Sequence, residues 1–301
     1  MVHIGTTGGL WVVHGESPAA IDELAGRSIT ALAGSGTRRF ALVDGRTLFA
    51  PAADGRWRER ATIDGLQGTC LAITPDGVLI GTEQAHLMRA TGETLERVAS
   101  FDTAEGRDAW HTPWGDPADV RSIAVGADGD LYVNVHVGGV VRSADGGRTW
   151  APTLDIESDV HQVLAVPQRP DIVTVAAAIG FGVSRDRGAS WAFLTGGLHA
   201  RYLRAVAIAG DDVLVSASTG PGGRRSALYR KRLDGDDDFV RCADGLPAWF
   251  SDNIDTACLA AAGPFVVFGT DDGRVFRSAD GGARWELLAK GLPPVTGITV
   301  G

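Results

Sequence analysis

Residues 141–150 read VRSADGGRTW, residues 183–191 read VSRDRGASW, and residues 276–285 read FRSADGGARW. Each segment joins the end of a short apolar run to an acidic, glycine-rich turn and then to a tryptophan. The first two tryptophans lie 41 residues apart, and the second and third lie 94 apart, which is two periods of 47. Self-similarity at a period of roughly 20–50 residues indicates a repeat architecture, so these segments decide the fold.

Weaker copies of the same pattern fill the gaps. They are residues 228–240 (LYRKRLDGDDDFV), 48–57 (LFAPAADGRW) and 87–98 (LMRATGETLERV). Each copy follows two apolar runs that are separated by glycine, aspartate or proline turns. Four short strands every roughly 43 residues, with no sustained helical periodicity between them, predict one blade of a β-propeller per repeat.

The chain ends supply one further blade. Residues 294–301 (PVTGITVG) match a first strand, whereas residues 2–9, 10–15 and 19–26 match second, third and fourth strands. The segment 19–26 (AAIDELAG) has helical propensity, but its place in the repeat predicts an outer strand. The sequence therefore predicts an all-β fold over residues 1–301: a single seven-bladed propeller domain with four-stranded antiparallel blades, closed by N- and C-terminal strands that share a blade.

Composition narrows the function classes. The 41 glycines agree with many tight turns, and 44% hydrophobic residues are enough for a substantial core. A formal charge of −9 argues against binding to a nucleic acid backbone. No stretch has the pattern of an export signal or a membrane span, and three widely spaced cysteines do not form a disulfide framework. We therefore expect a cytoplasmic protein without a membrane or nucleic acid partner.

The turn at Ser143, Asp145, Gly147, Thr149 and Trp150 matches the pattern S-x-D-x-G-x-T-W. This pattern resembles the Asp-box, or BNR repeat, of sialidases, xyloglucanases, sortilin-type receptors and photosystem II assembly factors. In organisation the chain is similar to single-domain seven-bladed BNR or YVTN-like repeat proteins. The resemblance implies that the box aspartates are structural and lie on the turn from the third to the fourth strand, away from the functional face. These residues are Asp145, Asp186 and Asp280.

Polar side chains recur at the end of each second strand, where they are expected to ring the mouth of the central channel. The seven residues are Thr6, Asp44, Glu83, His136, Ala177, Ser218 and Asp271. Carboxylates and a histidine that share one ring perturb one another's pKa values, as general acid and base chemistry requires. The candidate catalytic residues are thus Glu83, His136, Asp271 and Asp44. The alternative is a ring of solvated turn residues.

A second ring is expected from the first strands. Its members are Thr296, Thr30, Thr69, Arg121, Gln162, Arg204 and Ala257, with His161 beside Gln162. Two arginines in this ring suit a ligand carboxylate or phosphate, although they also suit a structural network with the acidic ring.

Two long connections carry aromatic residues towards the same face. Residues 101–120 contain Trp110, His111 and Trp114, and residues 242–253 contain Trp249 and Phe250; Tyr202 approaches from another loop. Such aromatics suit stacking on a sugar or contact with a partner, or they simply cap the channel. The histidines show no metal-ligand spacing, so neither a metal nor a cofactor is predicted. The candidate ligand-binding residues are Arg121, His161, Arg204, Tyr202, Trp110, His111, Trp114 and Trp249.

Two functions remain open from the sequence. The first is a binding propeller for a small polar molecule, a carbohydrate or a protein partner. The second is a glycoside hydrolase-like enzyme that uses carboxylates among Asp44, Glu83, Asp119, Asp255 and Asp271. The resemblance to sialidases does not extend to their six blades or to an Arg-Ile-Pro element, and the only tyrosines are Tyr132, Tyr202 and Tyr229. Xyloglucanase-type enzymes pair two propellers around a cleft. Carboxylates that are each held by arginine favour binding, whereas two free carboxylates across a pocket favour hydrolysis.

Overall fold

The computed structural model describes residues 1–15 and 17–301, and the described residues form seven four-stranded antiparallel sheets. Blade 1 joins β28 (Val295–Val300) to β1 (Val2–Thr6), β2 (Gly9–Val13) and β3 (Pro18–Ala20). Blade 2 consists of β4 (Ile29–Ser35), β5 (Arg38–Val43), β6 (Thr47–Pro51) and β7 (Trp57–Thr62). Blade 3 consists of β8 (Gly68–Thr74), β9 (Gly77–Thr82), β10 (Leu87–Thr91) and β11 (Thr94–Arg97). Blade 4 consists of β12 (Val120–Val125), β13 (Leu131–Val135), β14 (Gly139–Ser143) and β15 (Ala151–Leu154). Blade 5 consists of β16 (Val160–Ala165), β17 (Val173–Ala177), β18 (Gly180–Ser184) and β19 (Ala192–Leu194). Blade 6 consists of β20 (Tyr202–Ala209), β21 (Asp212–Ser218), β22 (Ala227–Arg232) and β23 (Val240–Arg241). Blade 7 consists of β24 (Leu259–Ala262), β25 (Phe265–Gly269), β26 (Val275–Ser278) and β27 (Glu286–Ala289).

Short 3₁₀ turns occur in several of the connections. They are η1 (Asp22–Leu24), η2 (Glu83–Ala85), η3 (Ala99–Thr103), η4 (Arg107–Ala109) and η5 (Ile156–Ser158). The expected outer strand over residues 19–26 is correct only in part, because β3 ends at Ala20 and η1 follows it. The buried Leu24 side chain explains the turn: it packs with Leu10 and Ile29 in the core between blades 1 and 2.

The predicted fold class is confirmed, and both chain ends contribute to its closure. Strand β28 pairs with β1 in register from Val2↔Val300 to Ile4↔Ile298, so the last strand of the chain becomes the inner strand of blade 1. The inner strands β28, β4, β8, β12, β16, β20 and β24 then follow one another around the ring. Closure leaves no blade without a neighbour on either side.

The turns that decided the fold share one hydrogen-bond pattern. Between β14 and β15, the Ser143 hydroxyl donates to Asp145 Oδ1 at 2.7 Å and accepts from the Gly147 N–H at 2.8 Å. Asp145 also accepts from the Thr149 hydroxyl at 2.7 Å, and these bonds hold the pKa of Asp145 well below its usual range. Gly147 has φ +93°, which a residue with a side chain rarely adopts. The equivalent bonds recur around Asp186; around Asp280 the serine bonds recur, and the backbone N–H of Arg284 donates to the carboxylate where a threonine hydroxyl is absent.

The tryptophans of these turns tie successive blades together. Trp150 is buried, meets the ring of Phe101 edge-on at 5.0 Å, and donates to the Ser100 hydroxyl at 3.2 Å. Trp191 donates to the carbonyl of Thr153 in the preceding blade at 2.9 Å. An indole supplies a large apolar surface and one N–H, so it fills the gap between blades without leaving a buried donor unpaired. Among the described residues, no helix is long and apolar enough to cross a membrane.

Ring closure can be tested by removing residues 294–301, which deletes β28. The deletion exposes the edge of β1 and the apolar side chains that Val295 and Ile298 cover, so we expect aggregation or a melting temperature lowered by about 10 °C or more. Each 1 kcal/mol of lost stability lowers the melting temperature of a domain this large by roughly 2–4 °C, and the loss of a strand costs several kcal/mol. Calorimetry and size-exclusion chromatography measure both effects. A monomeric product with the parent melting temperature would contradict closure through a shared blade.

Candidate functional site

The inner strands of the blades carry a β-bulge at an equivalent position. In the described residues, six of the seven inner strands contain it, and the extra residues are Thr296, Thr30, Thr69, Arg121, His161 and Arg204. In blade 6 the bulge also includes Ala205. A bulge breaks the alternation of side chains and redirects one of them. The predicted second ring thus lies largely at bulges; in blade 5 the bulged residue is the buried His161, whereas Gln162 lines the central cavity.

At most junctions between blades, a side chain of one blade bonds to a backbone carbonyl at or shortly before the start of the next inner strand. Thr296 Oγ1 donates to the Ile29 carbonyl at 2.5 Å, Thr69 Oγ1 donates to Val120, and His161 Nδ1 donates to Leu203 at 2.5 Å. The same role falls to Asn134 towards Val160 (3.0 Å), Ser216 towards Ile254 (2.9 Å) and Cys258 towards Val295 (3.4 Å). Six of the seven junctions between described blades are linked in this way. Pairing a buried carbonyl avoids a desolvation penalty of about 1–3 kcal/mol.

Two cavities with shared lining residues lie at one end of the central channel. The outer cavity, of about 340 Å³, is lined by Thr69, Trp114, Asp119, Val120, Arg121, His136, Arg204, Asp255 and Thr256. The inner cavity, of about 220 Å³, includes Thr30, Gln162, Ala257 and Thr296 in its lining and shares Thr69, Arg121 and Thr256 with the outer one. We call the outer cavity the channel mouth and the inner cavity the shaft.

Arginines at the channel mouth differ in their partners. Arg204 Nη1 donates to Asp255 Oδ1 at 2.9 Å and Nη2 to the Tyr202 hydroxyl at 3.3 Å, although its Nε is buried without a partner. Arg121 makes no hydrogen bond or ion pair with any described residue. Burial, and next the positive charge of Arg204, lower the pKa of Arg121 below its usual value. Among the described residues, the mouth therefore holds one guanidinium that is paired in part and one that has no hydrogen-bond or ion-pair partner.

The candidate carboxylates are mostly engaged. Asp44 accepts from the Arg27 guanidinium and from the Ser28 N–H, both at 2.9 Å, and Glu83 accepts from the Gln67 N–H at 3.0 Å. The bonds from the Ser28 and Gln67 N–H groups hold the segments that lead into the inner strands β4 and β8 of the same blades. Neither Asp44 nor Glu83 lines the channel mouth, and neither does the exposed Asp271.

Asp119 and Asp255 are the carboxylates that line the mouth. Burial raises the pKa of both groups above the ordinary aspartate value, and the negative charge of Glu83 adds to the rise at Asp119. Asp119 Oδ1 accepts from the Gln84 N–H at 3.2 Å. Among these two, only Asp255 is held by an arginine.

Histidines His136 and His161 are both buried at this end of the channel. Burial, with the nearby charge of Arg121, lowers the pKa of His136 to about 4 and that of His161 to about 3. His161 is fixed by its bond to Leu203 and by the Tyr202 ring at 4.7 Å. Both imidazoles are thus neutral near pH 7, and His136 can accept as well as donate a hydrogen bond.

The aromatic residues that were expected on one face do not lie together. Trp114 is 68% exposed at the mouth and meets the His136 ring at 5.4 Å. Trp110 instead packs on Phe101 at 5.5 Å, and the exposed His111 lies within 3.0 Å of the Ala109 carbonyl. Trp249 lies outside the cavity, between the guanidinium groups of Arg225 (4.7 Å) and Arg241 (3.9 Å) and against His199.

Unusual backbone conformations cluster around the same face. Positive φ angles occur at Gln84 (59°), Ala85 (51°), Val137 (38°) and Asp159 (43°). All four residues lie in connections that follow a second strand or precede an inner strand. Val137 directly follows His136, and a β-branched residue in this region is strained. Strain of this kind persists where surrounding structure enforces it, often near binding sites. Sequence patterns gave no signal for it, because none of these residues is a glycine.

Comparison with known proteins supports the architecture. No known protein family and no curated protein sequence matches this chain. Among solved structures, the chain is similar to the GH74 xyloglucanase from Xanthomonas campestris, with a TM-score of 0.67 and 18% identity over 95% of this chain and 46% of that one. It thus spans about half the length of that enzyme.

Two further structures resemble nearly the whole chain. The RRP9 WD40 repeats align with a TM-score of 0.62 and 16% identity over 98% of this chain and 87% of theirs. YCF48 bound to a D1 peptide aligns with a TM-score of 0.58 and 13% identity over 93% and 86%. At these identities the likeness shows the fold alone: a propeller shared by glycoside hydrolases and by proteins that bind partners.

The bonds between blades can be tested at two equivalent threonines. Thr296→Val removes the donor to the Ile29 carbonyl and should lower the free energy of unfolding by about 1–2 kcal/mol. Thr30→Val is the matched control, because Thr30 occupies the same bulge position in the next blade and bonds to no described residue; its effect should stay within about 0.5 kcal/mol. Urea denaturation measures both. Equal losses would show that the bond itself contributes nothing.

The neutral state of His136 predicts a pH dependence. The folded protein keeps His136 neutral down to a pKa of about 4, whereas the unfolded chain protonates it near 6.5. The unfolded state therefore binds more protons in this window, and stability should fall from pH 6.5 to 4 by up to about 3 kcal/mol from this group. His136→Gln should flatten part of this fall in denaturation curves. An NMR titration in which the His136 ring protonates near pH 6.5 would contradict the interpretation.

Proposed function

We propose that this propeller is a binding protein whose channel mouth takes a small polar ligand through an anionic group. The observation that carries the proposal is the Arg121 guanidinium, which lines the cavity without any partner among the described residues. The Arg121 guanidinium is partly buried, and a carboxylate or phosphate would pair with it through charge-assisted hydrogen bonds.

The surrounding groups agree with recognition of a polar molecule. Neutral His136 and the Thr69 and Thr256 hydroxyl oxygens offer hydrogen bonds, and the exposed Trp114 ring offers a stacking surface. A mouth of about 340 Å³ lies within the range of small-ligand pockets, roughly 300–1,000 Å³. A sugar acid or another carboxylate with hydroxyl groups fits this set.

Glycoside hydrolysis is the second candidate. It is favoured by the raised pKa values of Asp119 and Asp255 in one cavity and by the likeness to a xyloglucanase. It is disfavoured by the Arg204–Asp255 ion pair at 2.9 Å, because a paired carboxylate is a poor general acid or nucleophile. A protein partner, as in the peptide-bound YCF48, would reach the same face through an acidic group, but the concave mouth favours a small molecule.

The binding proposal can be tested with a thermal-shift panel of monocarboxylates, sugar acids, phosphate esters and neutral oligosaccharides, followed by calorimetric titration of each hit. Arg121→Gln should raise Kd about 10–100-fold, the size expected for a lost charged hydrogen bond, with the melting temperature unchanged. Arg224→Gln, which removes an exposed arginine outside the cavity, should leave Kd unchanged. Retained affinity in the Arg121 variant would refute the assignment of the site.

The same panel separates binding from catalysis. Release of reducing ends from xyloglucan, lost in Asp119→Asn while binding persists, would establish the hydrolase instead. A binding protein shows no turnover with any of these compounds.

A further inference from the structure

The charges that line the channel mouth are balanced but not all paired. The lining contains two arginines, Arg121 and Arg204, and two aspartates, Asp119 and Asp255. Arg204 and Asp255 neutralise each other at 2.9 Å. What remains is one cation at Arg121 and one anion at Asp119, two residues apart in the chain and facing the same cavity.

Neither remaining charge is well solvated. Burial lowers the pKa of Arg121 and raises that of Asp119, so each group is charged in a place that disfavours charge. Asp119 receives only the Gln84 N–H at 3.2 Å among the described residues. A ligand with a single negative charge would satisfy Arg121 but would meet the carboxylates of Asp119 and, nearby, Glu83.

Most of the threonine hydroxyl groups in the shaft below the mouth already donate a hydrogen bond. The hydroxyl hydrogens of Thr296, Thr69 and Thr256 are all donated to backbone carbonyls of neighbouring blades. Both hydrogen-bonding functions of the Gln162 amide are paired with the Val206 backbone. The oxygens of these three threonines keep free lone pairs and can accept hydrogen bonds from a ligand, whereas Thr30, which bonds to no described residue, can also donate one.

We propose that the channel mouth binds a small zwitterion, a free α-amino acid, with its carboxylate on Arg121, its ammonium group towards Asp119 and its side chain against Trp114. This inference rests on the proposed binding function and names the ligand class of the same site. A zwitterion satisfies both unpaired charges at once, which neither a simple carboxylate nor a neutral sugar does. The exposed Trp114 ring additionally favours apolar or aromatic side chains, and an ammonium group near its face gains a cation–π contact.

The experiment compares each free L-amino acid that shifts the melting temperature with its own N-acetyl derivative and its own amide. Acetylation removes the ammonium charge, and amidation removes the carboxylate. We expect each derivative to bind the parent protein about 10–100-fold more weakly, the cost of one charged hydrogen bond. Calorimetric titration supplies the Kd values.

Two variants assign the charges to residues. In Asp119→Asn the free amino acid should lose about tenfold in affinity and the penalty for acetylation should disappear; the asparagine oxygen still accepts from Gln84, so the fold is kept. In Arg121→Gln the penalty for amidation should disappear. Asp252→Asn removes an exposed carboxylate from a loop between blades 6 and 7, outside the cavity, and serves as the control with unchanged Kd.

The outcomes separate this inference from the proposed function. Binding of N-acetyl amino acids, hydroxy acids or sugar acids as tightly as free amino acids, still dependent on Arg121, would overturn the zwitterion and leave the binding function standing. A penalty for acetylation that survives in Asp119→Asn would also overturn it. No shift with any amino acid, carboxylate or sugar acid would overturn both.

Discussion

The bonds that cross from one blade to the next at the bulged inner strands are the constraint on which this structure depends. Six of the seven described inner strands carry a bulge, and at six of the seven described junctions a side chain of one blade bonds to a backbone carbonyl of the next. The donors differ in chemistry, from threonine to histidine to cysteine, yet they serve one geometric role. The interior of the ring is therefore held by side chain to backbone bonds rather than by apolar contact alone.

This constraint also shapes the candidate site. Three of the four threonines that line the shaft, Thr296, Thr69 and Thr256, already donate their hydroxyl hydrogens to backbone carbonyls of other blades. His161 is fixed in the same way by Leu203, so it supports the mouth instead of titrating near neutral pH. Arg121 stands at the equivalent bulge of blade 4, where Asn134 supplies the bond to Val160 in its place. Because another residue performs the structural task, the Arg121 guanidinium has no partner among the described residues, which is the basis of the proposed function.

The fold is shared with other proteins, whereas the chemistry of the candidate site depends on residues particular to this chain. The xyloglucanase, the WD40 protein and YCF48 resemble this chain in the arrangement of blades, at 18% identity or less. A propeller scaffold is compatible with many functions, and chemistry depends on the residues at its mouth. We propose that the Arg204–Asp255 pair, the neutral His136 and the exposed Trp114 serve the recognition of a small polar molecule in this chain.

The sequence alone determined the blade count, the closure by β28 and the turns around Asp145, Asp186 and Asp280, because these follow from local turn chemistry repeated at a fixed period. It also indicated which strand positions face the channel, with Arg121 and Arg204 among them. Only the tertiary structure decided which charged groups have partners: Asp44 pairs with Arg27 and Asp255 with Arg204, whereas Arg121 pairs with no described residue. It likewise separated Trp249 from Trp114 and placed His161 in the bulge where the repeat suggested Gln162. Periodicity fixes the direction of a side chain to within one residue, but a one-residue bulge and a contact between distant loops depend on packing that no local pattern encodes.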